Sequence, residues 1–183
     1  YTNYRKSIIG VLYFHMKILK DVEPFFDLNN STIGQGDWFT INEIPTLVNG
    51  YDNLIEENQI DGFKEDLKKY FLNADFQRLD RIMKKLEKSI EELEQDKEKR
   101  YFKGSKDLIE ELTVLFGDLG DFPLSYELLK EAKNADEKNA FADDMVKDYL
   151  LMLEASILLY KEFQEFIDVI QNKRIFKFIK MLD

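Results

Sequence analysis

The chain has 183 residues, of which 44% are hydrophobic, 14% aromatic and 34% charged. This length and composition fit one folded domain with a buried core and argue against intrinsic disorder. The absence of cysteine excludes disulfides, thiolate zinc sites and cysteine nucleophiles in these residues, and no apolar run approaches the roughly 20 residues of a membrane span. We therefore expect a cytoplasmic protein that does not enter a membrane.

The net charge is −10, and the acidic residues are unevenly distributed. Between Asp107 and Asp168 the chain holds 16 acidic residues and 5 lysines. Such a segment repels a nucleic-acid backbone and attracts basic partners. We therefore expect no direct nucleic-acid binding by this chain.

Helical periodicity dominates the whole chain, which holds only 3 prolines and 8 glycines, and it predicts an all-α fold. A first helix is predicted from Tyr4 to Val22, ended by Pro24. Its core candidates are Ile8, Leu12, Ile18 and Leu19. The turn formers over 27–37 predict a loop, and a second helix should start near Thr40 or Asn42 and reach about Glu57. Pro45 would lie in its first turn, where a missing N–H costs little.

From Asp61 onward the helices are predicted to form pairs. The first hairpin has a break at Asn73-Ala74-Asp75, and its second helix extends as far as Arg100. Its apolar positions are Phe63, Leu67 and Tyr70 before the break and Phe76, Leu79, Met83 and Leu86 after it. The second hairpin places Ile109, Leu112 and Phe116 before a tight turn at Gly120-Asp121, with a helix from Phe122 to Ala132 after it.

A third hairpin would put Leu150, Leu153 and Ile157 on one helix and Phe163, Phe166 and Ile170 on the next. Because its turn would lack glycine and proline, a single long helix over 145–170 is the alternative. The basic, amphipathic tail over 172–182 is predicted to be a terminal helix that covers the end of the fold.

The segment from Gly120 to Ala132 resembles the second half of a tetratricopeptide repeat, with Phe122, Ser125, Leu129 and Ala132 on one face. In that frame three units would begin near Ile60, Lys106 and Lys147, at offsets of 46 and 41 residues instead of the family's 34. The resemblance implies one domain, with N-terminal helices and a loop over 1–59 and a degenerate stack of antiparallel helical hairpins over 60–183. An irregular helical bundle is the alternative architecture.

A shorter run from Trp38 to Asn49 resembles the start of the peptide-sensing domain of Rgg-type transcription regulators of Gram-positive bacteria. That family implies a helical-repeat domain that binds a short signalling peptide and dimerises, so a homodimer is a further expectation. It also implies a DNA-binding helix-turn-helix upstream. Because the chain begins at Tyr1 and not at methionine, we expect such a domain before these residues if the resemblance holds. Trp38 itself is expected to pin its loop onto the core.

The repeat resemblance implies a non-enzymatic module that binds a peptide or protein segment in a groove lined by the first helix of each pair. No cofactor or metal is expected there. The predicted groove residues are Lys64, Lys68, Phe71, Glu110, Val114, Leu151, Ala155 and Leu158.

Two other functions fit the sequence. The carboxylates between Asp107 and Asp168 could imitate nucleic-acid phosphates, as in a phage-type inhibitor of a basic protein. Alternatively, Asp143, Asp144 and Asp148, with Glu110 and Glu111, could hold Mg²⁺ in an all-α nucleotide pyrophosphohydrolase, because this cation prefers oxygen ligands. His15, the only histidine in the chain, is expected to be structural.

Overall fold

The computed structural model describes residues 2–22, 44–97, 117 and 121–182. These residues form six helices: α1 (Thr2–Asp21), α2 (Ile44–Glu56), α3 (Ile60–Leu72), α4 (Phe76–Lys97), α5 (121–130) and α6 (Ala135–Leu182). No strand occurs in this part of the chain, which confirms the all-α class. The predicted loop over 27–37, Trp38, and the helix and turn predicted before residue 121 lie outside the described residues.

Helix α1 lies at the centre of the fold, packed against both α4 and α6. All four of its predicted core residues are buried, and so are Val11, Phe14, His15 and Met16. A helix that is apolar nearly all round is one that other helices surround. At Gly10 an added Cβ would contact the Ser89 hydroxyl and lie 3.2 Å from the Ser89 Cβ. The missing side chain at Gly10 therefore lets α1 and α4 approach closely.

The turn between α2 and α3 positions both helices beside α6. The amide N–H of Gln59 donates to the carbonyl of Leu54 at 2.9 Å, and that of Asn58 donates to the carbonyl of Ile55 at 3.3 Å. With Asn58 at a φ of 53°, this is a Schellman motif with asparagine in the left-handed position. It ends α2 within one residue of the predicted end, and Pro45 lies in the first turn of α2 as predicted.

The predicted break between α3 and α4 is confirmed, because α4 begins directly after Asp75. One carboxylate oxygen of Asp75 accepts hydrogen bonds from the amide N–H groups of Gln77 and Arg78, at 3.0 and 3.3 Å. This N-cap satisfies two donors that the first turn of α4 would otherwise leave unpaired.

The helix α5 lies against α4 through polar as well as apolar contacts. The Tyr126 hydroxyl donates to Asp80 at 2.5 Å, and the Lys130 Nζ donates to the same carboxylate at 3.0 Å. Phe122, Ser125 and Leu129 are buried as predicted, whereas the helix ends at residue 130 and the predicted fourth residue of this face, Ala132, lies beyond it and is half-buried.

The long helix α6 runs unbroken for 48 residues, about 72 Å at 1.5 Å per residue. The third predicted hairpin is therefore wrong and the single-helix alternative is right. No proline or glycine interrupts this stretch, so nothing in the backbone stops the helix. Its start is well capped, because Asn134 Oδ1 accepts from the Glu137 N–H at 2.8 Å and the Glu137 carboxylate accepts from the Lys133 N–H at 2.9 Å.

Among α1 to α4 and α6, the most extensive helix contacts are those of α1 with α4, α3 with α6, and α1 with α6. Helix α4 also contacts α5, its neighbour in the chain, through Asp80. The described helices therefore pack both on chain neighbours and on helices distant in sequence, in an all-α fold that is a helical bundle or a stack of hairpins.

Candidate functional site

A groove of about 650 Å³ lies between α2, α3 and α6. Its volume is within the range of roughly 300–1,000 Å³ that is usual for ligand sites. Side chains from all three helices form its apolar floor, and two of them are strongly exposed, Ile55 at 53% and Leu151 at 43%. The apolar residues that line the groove are Tyr51, Ile55, Ile60, Val146, Leu150 and Leu151.

Two ion pairs join the helices that form this groove. The Lys68 Nζ lies 2.9 Å from an Asp143 carboxylate oxygen and links α3 to α6. Beyond the other end of the lining, the Lys161 Nζ lies 3.3 Å from Asp52 and links α6 to α2. Each exposed pair contributes about 0–1 kcal/mol, so the pairs add orientation more than stability.

The remaining charged side chains of the groove lie on its rim. Lys64 and Glu65 come from α3, and Lys147 and Glu154 come from α6. Neither lysine forms an ion pair with another described residue. Burial, together with the charges of Glu154 and Asp52, raises the pKa of Tyr51 to about 12. The phenol is therefore protonated at neutral pH and can donate a hydrogen bond.

Three of the predicted groove residues, Lys64, Lys68 and Leu151, line this groove. Leu158 is 42% exposed and lies on the same face of α6, two turns beyond Leu151. The predictions for Phe71 and Ala155 are wrong, because these side chains are 0% and 3% exposed and belong to the core. Phe71 instead contacts the rings of Phe122 and Tyr149, with centroids 6.1 and 6.0 Å apart. Glu110 and Val114 lie outside the described residues.

Helix α2 contributes a wall of the groove that the sequence did not predict. Tyr51 and Ile55 lie before the first repeat of the tetratricopeptide frame, so no groove position was assigned to them. The sequence signal for this wall is the spacing of Tyr51 and Ile55, which are four residues apart and therefore lie on one face of α2. That spacing does not indicate which other helix lies opposite this face.

His15 is fully buried beneath α6 and hydrogen-bonded through both ring nitrogens. Its Nε2 lies 2.9 Å from Ser156 Oγ and its Nδ1 lies 3.3 Å from the Tyr149 hydroxyl. The Ser156 hydroxyl donates to the carbonyl of Met152 at 2.7 Å. Because that uses the only hydroxyl hydrogen of Ser156, Nε2–H must donate to Ser156 and Nδ1 must accept from Tyr149.

This network makes His15 a structural residue. Desolvation by burial lowers the pKa of His15 to about 3, so the imidazole is neutral in the folded chain. Ser156 and Tyr149 are as deeply buried as His15. A serine beside a histidine can form a nucleophilic pair, but here the serine hydroxyl is bonded to the backbone and shielded from any substrate.

The carboxylates considered as Mg²⁺ ligands are directed to different neighbours. Asp143 pairs with Lys68 on α3, whereas Asp148 accepts a hydrogen bond from Ser125 on α5. In the part of the chain that the structure describes, no group of three or more His, Cys, Asp or Glu side chains could hold a metal ion. Glu110 and Glu111 lie outside that part. The described residues therefore add no support to the hydrolase hypothesis.

Several carboxylates of the acidic C-terminal region have partners within the fold. Besides Asp143 and Asp148, Glu137 caps the start of α6 and Glu127 lies 3.4 Å from the Lys130 Nζ. The hydroxyl and backbone N–H donors leave Asp148 and Glu137 charged, so the nucleic-acid mimic stays a prediction from the sequence.

A second cleft, of about 390 Å³, lies between α1 and α4 and is basic. Arg78 is held there by Asp21, with 3.1 Å between its Nε and the carboxylate. Helical spacing places the cations of α4 on one face, although residues 61–104 hold 12 basic and 11 acidic side chains. The cleft is lined by Lys17, Arg78, Arg81, Ile82, Lys84 and Lys85.

No protein-family model, curated protein or solved structure matches this chain. Among the described helices, none has a stretch long and apolar enough to cross a lipid bilayer.

Proposed function

We propose that this chain is a non-enzymatic binding module that holds a peptide or protein segment in the groove between α2, α3 and α6. The observation that carries the proposal is the floor of aliphatic side chains, left exposed between three helices and bordered by charged residues. Apolar surface surrounded by a polar rim is the usual anatomy of a protein interaction site. A role as the sensing part of a bacterial regulator remains a prediction from the sequence.

The size of the groove suits a short segment. Its lining on α6 runs from Asp143 to Glu154, a rise of about 16 Å at 1.5 Å per residue. Two exposed leucines, Leu151 and Leu158, stand on this face of α6. Burying such side chains against a partner contributes about 25 cal/mol of favourable binding free energy per Å² of apolar area. The loss of conformational freedom in the partner offsets part of this gain.

The test is selection of displayed random peptides on the chain, followed by binding measurements with matched variants. Leu151→Glu places a charge on the groove floor, whereas Leu128→Glu makes the same change on α5, outside the groove. The two leucines are 43% and 47% exposed, so both variants should fold. We expect the selected peptides to lose at least about tenfold in affinity, or about 1.4 kcal/mol, with Leu151→Glu and to bind Leu128→Glu like the parent.

Two results would contradict this function. One is a selection that yields no peptide with a Kd below about 100 µM, or about −5.5 kcal/mol. The other is a set of peptides that bind Leu151→Glu and the parent chain equally well, because they would occupy a different surface.

A further inference from the structure

We propose that the segment bound in this groove is an amphipathic α-helix and not an extended strand. The inference rests on the proposed function and specifies its partner. Every buried backbone N–H and C=O group needs a hydrogen-bond partner. A helix satisfies these groups internally, except at its ends, whereas an extended peptide must find partners in the groove.

The groove has few partners to offer an extended backbone. At about 3.3 Å per residue, a strand along its 16 Å would place about five residues in it, with about ten backbone polar groups. Among the described lining residues, none is Asn, Gln, Ser or Thr, and the Tyr51 hydroxyl is the one neutral side-chain group that could pair a backbone group without desolvating a charge. Lys68 and Asp143 are already bonded to each other. Each backbone group left unpaired would weaken binding by about tenfold.

The walls of the groove have the spacing of helix packing. On α3 the lining residues Ile60, Lys64 and Lys68 recur every four positions, and on α6 Lys147 and Leu151 do the same. Rows at this spacing are the ridges between which the side chains of another helix fit. A helix of about eleven residues has the length of the groove. The groove between α2, α3 and α6 is thus the place for one more helix.

Charges on the rim select among amphipathic helices. Lys147 and Glu154 are seven positions apart on α6, which is two turns or about 10 Å. Lys64, on α3, adds a second cation to the lining of the groove. The matching ligand helix has its apolar stripe on the floor, an acidic residue near Lys147 and a basic residue near Glu154, because complementary charges determine partner choice.

The first experiment determines whether the bound peptides are helical, from the pattern of apolar residues in the selected sequences. Linear random peptides of roughly fifteen residues, longer than the roughly eleven that span the groove, are selected on the full chain. We expect apolar residues at i, i+3 or i+4, and i+7 in the enriched sequences. In the tightest peptide, a central residue outside the apolar stripe is replaced by alanine or by proline. Alanine should change the Kd by less than about threefold, and proline should weaken it at least about 100-fold, because proline is poorly tolerated inside a helix.

A strict alternation of apolar and polar residues, or a peptide that tolerates the central proline, would overturn the helical ligand. If such peptides still lose binding with Leu151→Glu, the groove is a binding site and only the conformation is wrong. Two results contradict the proposed function itself. One is a set of peptides that bind Leu151→Glu and the parent chain with equal affinity, and the other is a selection that yields no peptide.

The second experiment tests the charge pattern. Lys147→Glu reverses a charge on the rim, and Lys133→Glu makes the same change before α6, outside the groove. Peptides with an acidic residue opposite Lys147 should bind Lys147→Glu about tenfold more weakly, and a lysine at that peptide position should restore binding. Lys133→Glu should leave the Kd unchanged. Equal effects of the two variants would show that only net charge matters and would refute the assigned position of the acidic residue.

Discussion

The burial of His15 predicts a specific loss of stability in mild acid. In the unfolded chain the imidazole has its ordinary pKa of 6.5, and in the folded chain the pKa is lowered to about 3 because burial disfavours the charged ring. Between these values the unfolded state binds a proton that the folded state does not. Stability that is fully present above pH 6.5 is therefore lost as the pH falls towards 3.

The magnitude follows from the shift. Each pH unit below 6.5 costs about 1.4 kcal/mol, so the free energy of unfolding should fall by about 2 kcal/mol between pH 6.5 and 5. Carboxylates also begin to titrate in this range, so the informative quantity is the difference from His15→Gln, which lacks the imidazole but shares every carboxylate.

The assay is urea unfolding at several pH values for both chains. The stability advantage of the parent over His15→Gln should shrink by about 2 kcal/mol from pH 8 to 5. An advantage that does not vary with pH would refute the reasoning. A second readout does not depend on the variant folding. His15 is the only histidine, so its single imidazole NMR signal should not titrate above pH 5, and a midpoint near 6.5 would contradict the burial.

Three further predictions test the fold that positions the groove. Gly10→Val should lower the free energy of unfolding by about 1–3 kcal/mol, because the new side chain overpacks against Ser89. Adding Ser89→Gly to this variant should restore part of the lost stability in urea unfolding. Strictly additive effects of the two substitutions on the free energy of unfolding would show that the two residues are not in contact. Asn58→Val should lower the free energy of unfolding by about 1–2 kcal/mol, because a β-branched residue fits the left-handed turn poorly. Asn58→Gly should leave the stability nearly unchanged. Equal melting temperatures of the two variants would contradict the left-handed conformation at residue 58. Asn134→Ala should lower the free energy of unfolding by about 1 kcal/mol, because it removes the N-cap of α6. If the variant and the parent chain melt at the same temperature by circular dichroism, this cap does not stabilise the fold.

The sequence predicted the helical elements well wherever a local rule applied. The break at 73–75 follows from a capping aspartate, and the apolar face of α1 follows from its periodicity. The long α6 was only an alternative, because periodicity alone does not distinguish one helix from two that are joined without glycine or proline. Phe71 was misplaced since the repeat frame assigned it to a groove, while its ring packs in an aromatic cluster with Phe122 and Tyr149.

Of the predicted groove residues, Lys64, Lys68 and Leu151 line the groove between α2, α3 and α6. Their neighbours Tyr51 and Ile55 were missed because α2 ends at Glu56 and α6 begins only at Ala135, and no local pattern relates the two helices. The basic cleft was missed for a similar reason, since its cations belong to α1 and α4, and counting charges along the chain averages over opposite faces of a helix.

The sequence by itself determined that this protein is built from helices, where several of them begin and end, and which side of each is apolar. These properties depend on spacing, capping and backbone freedom over a few residues. Only the tertiary structure decided which helix covers which apolar face, that the imidazole of His15 is bonded on both sides, and that α2, α3 and α6 leave a groove open between them. Those outcomes depend on contacts between residues far apart in the chain, and many arrangements of the same amphipathic helices would satisfy the local pattern equally well.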